Sequence, residues 1–539
     1  MNRLFLLRIV LGLAIALAGM SPAANADQDG EIRDREHIVI VPFGDTQRIF
    51  EQDGRGGYAR ISAIVEDERS NGDNVIVVHA GNAFAPSLFS TIDGGAHAID
   101  MLNRLGITIM GVGHHEFDLG RGTAALRFAE ARFPVVMSNA RAGNGSPIAG
   151  TVRRQIVAVA GYRLGFMGLL PPQTSLISSP GDLVIEDPVA AAERVAGELR
   201  ADGADIVIAL TDLEQSVLSA IRARGAADLI FNAQGPTDSS TLTVEAVGST
   251  VLARSGEGGN RIPVVDLYLE RVMRELVSTP TAPQAGDDAV AEFDPDKFFE
   301  AAHEEAIVRW RVDVRVRDTA RIEPDRFADI VLAQYYAVFG RQLNEPLATV
   351  AGAFDTLRAN VRNRSSGFAA FVTEAMRDAA GADVAVLNAG AIRGDQTFGP
   401  GDEFRVRDLL TALPYRNRIV TLEITGRRLM LLLEHGLGPT SVGGPRFVHF
   451  AGMSVRYNPG GRPGARVCRV TINGKPLEHG ANYVVATNEF LARGGDGYDM
   501  LGRAATVDRG DLLDFLRQRL TETGKLQPID DDRLTPSCF

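Results

Sequence analysis

Residues 107–118 read ITIMGVGHHEFD: a β-rich apolar run that stops at Gly113 and releases His114, His115, Glu116 and Asp118. The same grammar repeats on either side. Residues 37–45 (HIVIVPFGD) end in Gly44-Asp45, and residues 74–80 (NVIVVHA) lead into Gly81-Asn82. Residues 135–140 (VVMSNA) follow Pro134, which suits a strand start. GYRLGFMGLL (161–170), DIVIALTDL (205–213) and ADLIFNAQG (227–235) extend the series, with helical patterns such as 94–105 between. Strands alternating with helices predict a layered α/β domain. In such folds the polar residues just past the strand C-termini gather in one crevice. That rule nominates Asp45, Asn82, His114, Asp212 and Gln234.

The chain has 539 residues, too many for one core, so more than one domain is expected. With 45% hydrophobic and 23% charged residues its composition is that of a soluble globular protein. Residues 1–26 combine Arg3 and Arg8, a short apolar run from Ile9 to Gly19, and Ala24-Asn25-Ala26. This predicts a secretory signal peptide and a periplasmic or secreted protein, an uncleaved anchor being the alternative. No later run approaches the roughly 20 apolar residues of a membrane span. Removing residues 1–26, which carry two Arg and no acid, takes the net charge from −12 to −14. Such a surface repels nucleic acid and anionic lipid, so a polymeric nucleic-acid partner is not expected. Cys468 and Cys538 permit one disulfide without proving it, and neither lies in a CxxC or Cys/His cluster suited to structural zinc.

Residues 277–295 (VSTPTAPQAGDDAVAEFDP) have linker composition, and the charged stretch 296–342 reads as helical. The expected organisation is a signal peptide (1–26), a first α/β domain (35–275), a linker with connecting helices (276–344) and a second mixed α/β domain (345–539). In the second domain, 364–380 reads as an amphipathic helix and 383–390 as a buried strand ending in a Gly turn. Residues 416–425 alternate as a strand, 426–437 follow as a helix, and 483–498 form a strand with a Gly-rich loop.

Nine short motifs stand in order. The first five are Gly44-Asp45-Thr46-Gln47, Gly81-Asn82 before Ser87, Gly113 to Asp118, Leu210-Thr211-Asp212, and Asn232-Ala233-Gln234-Gly235-Pro236. The other four are Arg358 with Arg362, Asn388-Ala389-Gly390-Ala391-Ile392-Arg393, Pro414-Tyr415-Arg416-Asn417, and Asn488 to Tyr498 with its Gly494-Gly495-Asp496-Gly497 turn. In this order the chain resembles the bacterial 5'-nucleotidase family, which includes periplasmic UDP-sugar hydrolases, over essentially all of the mature sequence. The resemblance implies a calcineurin-like four-layer α/β/β/α metallophosphoesterase domain followed by a 5'-nucleotidase C-terminal α/β domain. It further implies hydrolysis of nucleotide phosphoesters with two divalent metals.

By that resemblance His115 and Asp118 are the catalytic pair. Of the metal-ligand positions, Asp45 alone is unchanged. Gln47 stands for a His, Asn82 for the bridging Asp, His114 for an Asn and Asp212 for a His. Gln234 lies in an element that here has no His at all. Asn in place of the bridging carboxylate removes a negative charge between two cations, and Gln replaces an imidazole donor with a neutral carbonyl. The dinuclear centre is therefore expected to be lost or weakened. A single divalent metal held by Asp45, His114 and Asp212 is the sharper alternative, and drift after loss of function the blander one.

The resemblance also assigns Arg358, Arg362 and Arg393 to substrate phosphate or carboxylate groups, which guanidinium forks suit. It assigns Asn388 to the substrate loop, Tyr415 and Phe490 to base stacking, and Asn417 and Asp496 to polar contacts. Taken singly these could be solvated arginines, core aromatics and a tight turn. Three functions stay open at this point. The chain is a hydrolase of nucleotides or nucleotide sugars with altered metal dependence, an inactive nucleotide-binding protein, or a scaffold of the same fold. No protein partner is indicated.

Overall fold

The computed structural model describes residues 33–52, 54–233, 245–247, 250–275, 304–438, 443–502, 504–529 and 532–538. The signal-peptide reading (1–26), the linker composition (277–295), Gln234 and Pro236 lie outside the described residues. The chain divides into two compact units. The smaller comprises 1–35 and 269–309, where the described residues are strand ends. The larger comprises 36–268 and 310–539 and carries everything discussed below.

Two sheets organise the N-terminal region of the larger unit. The first has the order 304–318, 261–275, 33–43, 75–79, 109–111, 135–136, 151–152. Its inner pairs run parallel, with Val39 opposite Val75, Val78 opposite Ile109 and Met110 opposite Val135. The second has the order 245–247, 250–254, 229–232, 206–211, 162–169, 154–159, with a parallel centre.

Strands covered on both faces read as unbroken apolar runs, which is how IVIV and VIVV appear in the sequence. One face of the first sheet (Val39, Val41, Phe43, Val77, Met110) packs with Ile61, Ile64, Leu102 and Leu105 of helices Tyr58–Asn71 and Ala96–Leu105. One face of the second (Met167, Leu169, Val207, Ala209) packs with Ala192, Val195, Leu218 and Ile221 of helices Pro188–Ala201 and Gln215–Ala223. The remaining faces meet each other. A Cβ on Gly111 would fall 2.6 Å from Leu210 Cβ, so glycine is what lets the sheets approach there. The result is a helix–sheet–sheet–helix sandwich, in agreement with the four-layer expectation.

Local chemistry sets the helix ends. Asp187 accepts hydrogen bonds from the N–H groups of Val189 and Ala190, with Pro188 in the first turn. Gly106, at φ 60°, closes the helix Ala96–Leu105 in the left-handed conformation a C-cap requires.

One expectation is corrected. Residues 296–342 do not form a helical stretch throughout: Glu304–Asp318 is a 15-residue strand at the edge of the first sheet. Charge hid its period of two, because Arg311, Asp313 and Arg315 are exposed while Val312 and Val314 between them are partly buried. Arg315 is then fixed between Asp266 (2.6 Å) and Glu68 (3.0 Å). The helical reading holds for Arg326–Leu343, capped by Asp325. The first α/β region thus extends beyond residue 275.

The C-terminal region is built on a five-stranded sheet of order 448–451, 384–388, 482–488, 418–425, 506–511, against which the Ser366-capped helix Gly367–Ala380 packs. Cys468 and Cys538 are bridged, answering a question the sequence left open. Among the described residues no helix is long and apolar enough to cross a membrane.

Candidate active site

The strands 33–43, 75–79, 109–111 and 206–211 deliver Asp45, Asn82, His114–His115 and Asp212 just past their ends. Asp45 and Asn82 both adopt left-handed backbone, at φ 56° and 63°, a region that Asp and Asn tolerate better than most residues. The loops lie very close together. A Cβ on Gly81 would sit 2.6 Å from Gly113 N, and one on Gly113 would sit 2.1 Å from Asn82 Oδ1.

Glu116, to which sequence reasoning gave no role, holds the loops in that approach. Its buried carboxylate accepts the N–H groups of Asn82 (2.8 Å), Ala83 (2.6 Å), Phe84 (3.3 Å) and Gly113 (2.7 Å). The signal was present as an acid three residues after a strand-ending glycine, but most of the N–H groups it accepts lie more than 30 residues away. His79 is a second buried prop. Its Nδ1 accepts the Gly81 N–H (3.1 Å), which leaves Nε2 to pair with Thr46 Oγ1 (2.8 Å). Burial holds this imidazole down at about 3, so it is neutral in the fold.

Two imidazole–carboxylate pairs stand side by side above this floor. His115 Nδ1 lies 2.6 Å from Asp118 Oδ2, and Ser178 Oγ donates to the other Asp118 oxygen at 2.8 Å. Burial opposes charge on His115, but Asp118, with Asp212 and Asp45 behind it, outweighs burial and lifts the imidazole to about 9. His114 Nδ1 lies 2.5 Å from Asp212 Oδ2, which also accepts the His114 backbone N–H at 3.0 Å. Burial would raise the Asp212 carboxyl, yet the bonds and charge of His114 bring it below the usual range. The two rings are 3.9 Å apart, centroid to centroid.

This donor set does not fit a two-metal centre. Asp45 Oδ1 accepts from Gln47 Nε2 at 2.8 Å, and Asn82 Oδ1 accepts the His115 N–H at 3.2 Å. His114 and Asp212 are bonded to each other instead of converging with Asp45 on one point. Asp212 Oδ1 is buried without a hydrogen bond, but a single carboxylate oxygen is not a coordination sphere. Among the described residues no group of three or more His, Cys, Asp or Glu is placed to hold a metal.

The facing wall comes from the C-terminal region. Asn388, at the end of its strand, donates to Asp496 Oδ2 at 2.7 Å and accepts from Asn488 Nδ2 at 3.2 Å. Asn488 Oδ1 caps the short helix that carries Phe490 by accepting the Leu491 N–H (2.8 Å). A Cβ on Gly495 would fall 2.5 Å from Phe490 Cζ, so any side chain there would have to displace the ring. Arg393 sits 5.8 Å over the Tyr415 ring. The Arg362 guanidinium is pulled below its ordinary range by partial burial and by the charges of Arg393 and Arg358. Arg393 Nη1 and Arg362 Nε are buried and make no hydrogen bond. Arg358 is exposed beside Asp395.

A cleft of about 250 Å³ joins the walls. His114, His115 and Asp118 line one side, and Asn388, Arg393, Tyr415, Asn417, Phe490 and Asp496 the other. Arg358, Arg362, Asp45, Gln47, Asn82 and Asp212 do not line it. Sequence reasoning gave no role to Ser178, Ser179, Glu489 and Arg493, which join the two sides. Ser179 Oγ donates to Glu489 (3.2 Å), and Arg493 donates to the Ser178 carbonyl (3.2 Å).

The profile of the family described as "5'-nucleotidase, C-terminal domain" matches residues 346–503, the region that builds this second wall. Residues 346–503 thus match the C-terminal domain of 5'-nucleotidases, and the chain as a whole is similar to nucleotide phosphoesterases. It is 25% identical over 532 residues to the trifunctional nucleotide phosphoesterase protein YfkN of Bacillus subtilis. That match covers 88% of this chain but 34% of the relative, so the chain spans about a third of the Bacillus protein. It is 24% identical over 517 residues to the snake venom 5'-nucleotidase of Naja atra, covering 90% of this chain and 94% of that one. The fold is shared with the 5'-nucleotidase precursor of Thermus thermophilus, at TM-score 0.63 and 23% identity over 93% of this chain and 99% of that one.

Proposed function

We propose that this chain hydrolyses phosphoester bonds of nucleotides or nucleotide sugars after export across a membrane. The observation that carries the reading is the cleft itself. One wall presents an imidazole oriented by Asp118, and the opposite wall presents guanidinium groups and two aromatic rings. His115 stabilises or protonates the reacting phosphoester, and Asp118 holds its tautomer and charge. Arg393 and Arg362, with Arg358 at the rim, take the phosphate oxygens. Tyr415 and Phe490 stack on the base, while Asn388, Asn417 and Asp496 read its polar edges or the ribose. In this reading residues 345–539 recognise the nucleotide, the preceding α/β region performs the cleavage, and residues 1–26 direct export. Metal-dependent catalysis is weakened relative to the family because the ligand positions are replaced.

The test is release of phosphate from AMP and of UMP and glucose 1-phosphate from UDP-glucose, read beside nucleotide binding by titration calorimetry. His115→Ala should lower turnover by about 10²–10⁴-fold while nucleotide affinity stays nearly constant. A wild-type chain that binds nucleotide without turnover under any condition would instead be a binding protein. One that binds none would defeat the reading altogether.

A further inference from the structure

This inference rests on the phosphoester hydrolysis proposed above. A phosphoester hydrolase without a fitting two-metal site needs another way to move protons and meet charge. The strand-end wall offers one. The family's catalytic pair would be His115–Asp118, and beside it stands a second pair of the same construction, His114–Asp212. In both, a carboxylate occupies Nδ1, at 2.5 and 2.6 Å. Nε2 is thus the ring nitrogen left for a molecule in the cleft, which both residues line. Asp212 also holds the His114 backbone N–H and is itself buried, so ring and carboxylate are anchored together. The ring centroids lie 3.9 Å apart, so the two imidazoles border the same part of the cleft.

We infer that His114, positioned by Asp212, is a second catalytic residue, and that this site cleaves phosphoesters by paired imidazole acid–base chemistry with no divalent ion required. The step balances. A water oxygen attacks phosphorus as one imidazole Nε2 takes its proton, forming the new P–O bond. The bond from phosphorus to the leaving oxygen breaks, and the other imidazole gives that oxygen a proton where it needs one, releasing adenosine and inorganic phosphate from AMP, or UMP and glucose 1-phosphate from UDP-glucose. The net proton then passes between the two rings through solvent. The unpaired buried donor of Arg393 is a cationic group on the opposite wall that can meet phosphate charge.

The experiment uses the full mature chain, stripped with a chelator and checked by elemental analysis, with AMP and UDP-glucose as substrates. Turnover should persist within about two-fold in the chelator. His114→Asn should lower kcat by about 10²–10⁴-fold with KM, melting temperature and nucleotide binding little changed. Asp212→Asn should lower kcat through a misplaced tautomer and also distort the pH profile of the remaining activity. If Asp212→Asn does not fold, His114→Asn alone decides. Activity abolished by chelator and restored by manganese, zinc or cobalt at one or two bound ions per chain overturns the inference while leaving the hydrolase reading intact. So does full turnover in His114→Asn. A folded wild-type chain with no turnover, stripped or metal-loaded, defeats both readings.

Discussion

On the strand-end wall the charged side chains are bonded to one another: His114 to Asp212, His115 to Asp118, Asp45 to Gln47, and Glu116 to four backbone N–H groups. On the facing wall Arg393 Nη1 and Arg362 Nε are buried with no hydrogen bond, and burial, with the charges of Arg393 and Arg358, brings the Arg362 guanidinium below its ordinary range. Buried polar groups left unpaired are costly. On the first wall the unpaired buried atom is a carboxylate oxygen, Asp212 Oδ1, whereas on the second the unpaired atoms are cationic donors, which an anion would satisfy. Substitutions on the first should therefore change stability or turnover, and on the second affinity.

The hardest test of that division is Glu116→Ala. It strips four buried donors of their acceptor and should destabilise the fold by about 3–5 kcal/mol, measured by urea unfolding. A loss below about 1 kcal/mol would mean that the loops hold together without it.

Acid should reach the same wall through His79. Its folded value of about 3 lies below that of an unfolded histidine, so the folded state binds fewer protons between the two. The stability it supports is present above about pH 6.5 and is lost as pH falls through about 3, on the order of 5 kcal/mol in all. Chemical denaturation across this range, compared with His79→Gln, isolates the contribution.

Arg393→Ala moves to the other wall and should cost about 1.5–3 kcal/mol of nucleotide affinity, or roughly 10- to 150-fold in Kd, with unfolding free energy nearly unchanged. Unaltered affinity would remove the argument that this wall awaits an anion. The smallest effect is expected for Phe490→Ala, about 1–3 kcal/mol in binding of a nucleotide and none for inorganic phosphate. An equal loss for both ligands would show that the ring supports the loop instead of a base.

How much was legible beforehand differs between the walls. The strand-end residues were found because each follows an apolar run, a local pattern. The facing wall was found because its motifs are contiguous, as in Asn388–Arg393 and Asn488–Tyr498. The strand Glu304–Asp318 was missed because its alternation places arginine where polar residues belong, and a charged run reads equally as a solvated helix. Glu116 and Ser178 were missed because their partners are distant: Glu116 bonds Asn82, and Ser178 bonds Asp118, 60 residues away.

By itself the sequence determined which segments become strands and helices, and which residues emerge at their ends, since period and turn chemistry act between near neighbours. It also determined that the positions where the resemblance expects metal ligands mostly hold other residues, because that is a matter of residue type. Only the tertiary structure decided what the replacements do. His114 and Asp212 lie 98 residues apart and could each have faced a metal, solvent or the core. Two sheets closing through Gly111 against Leu210 bring their strand ends into hydrogen-bonding range. A side-chain bond of that kind depends on where whole layers come to rest, which no local pattern specifies.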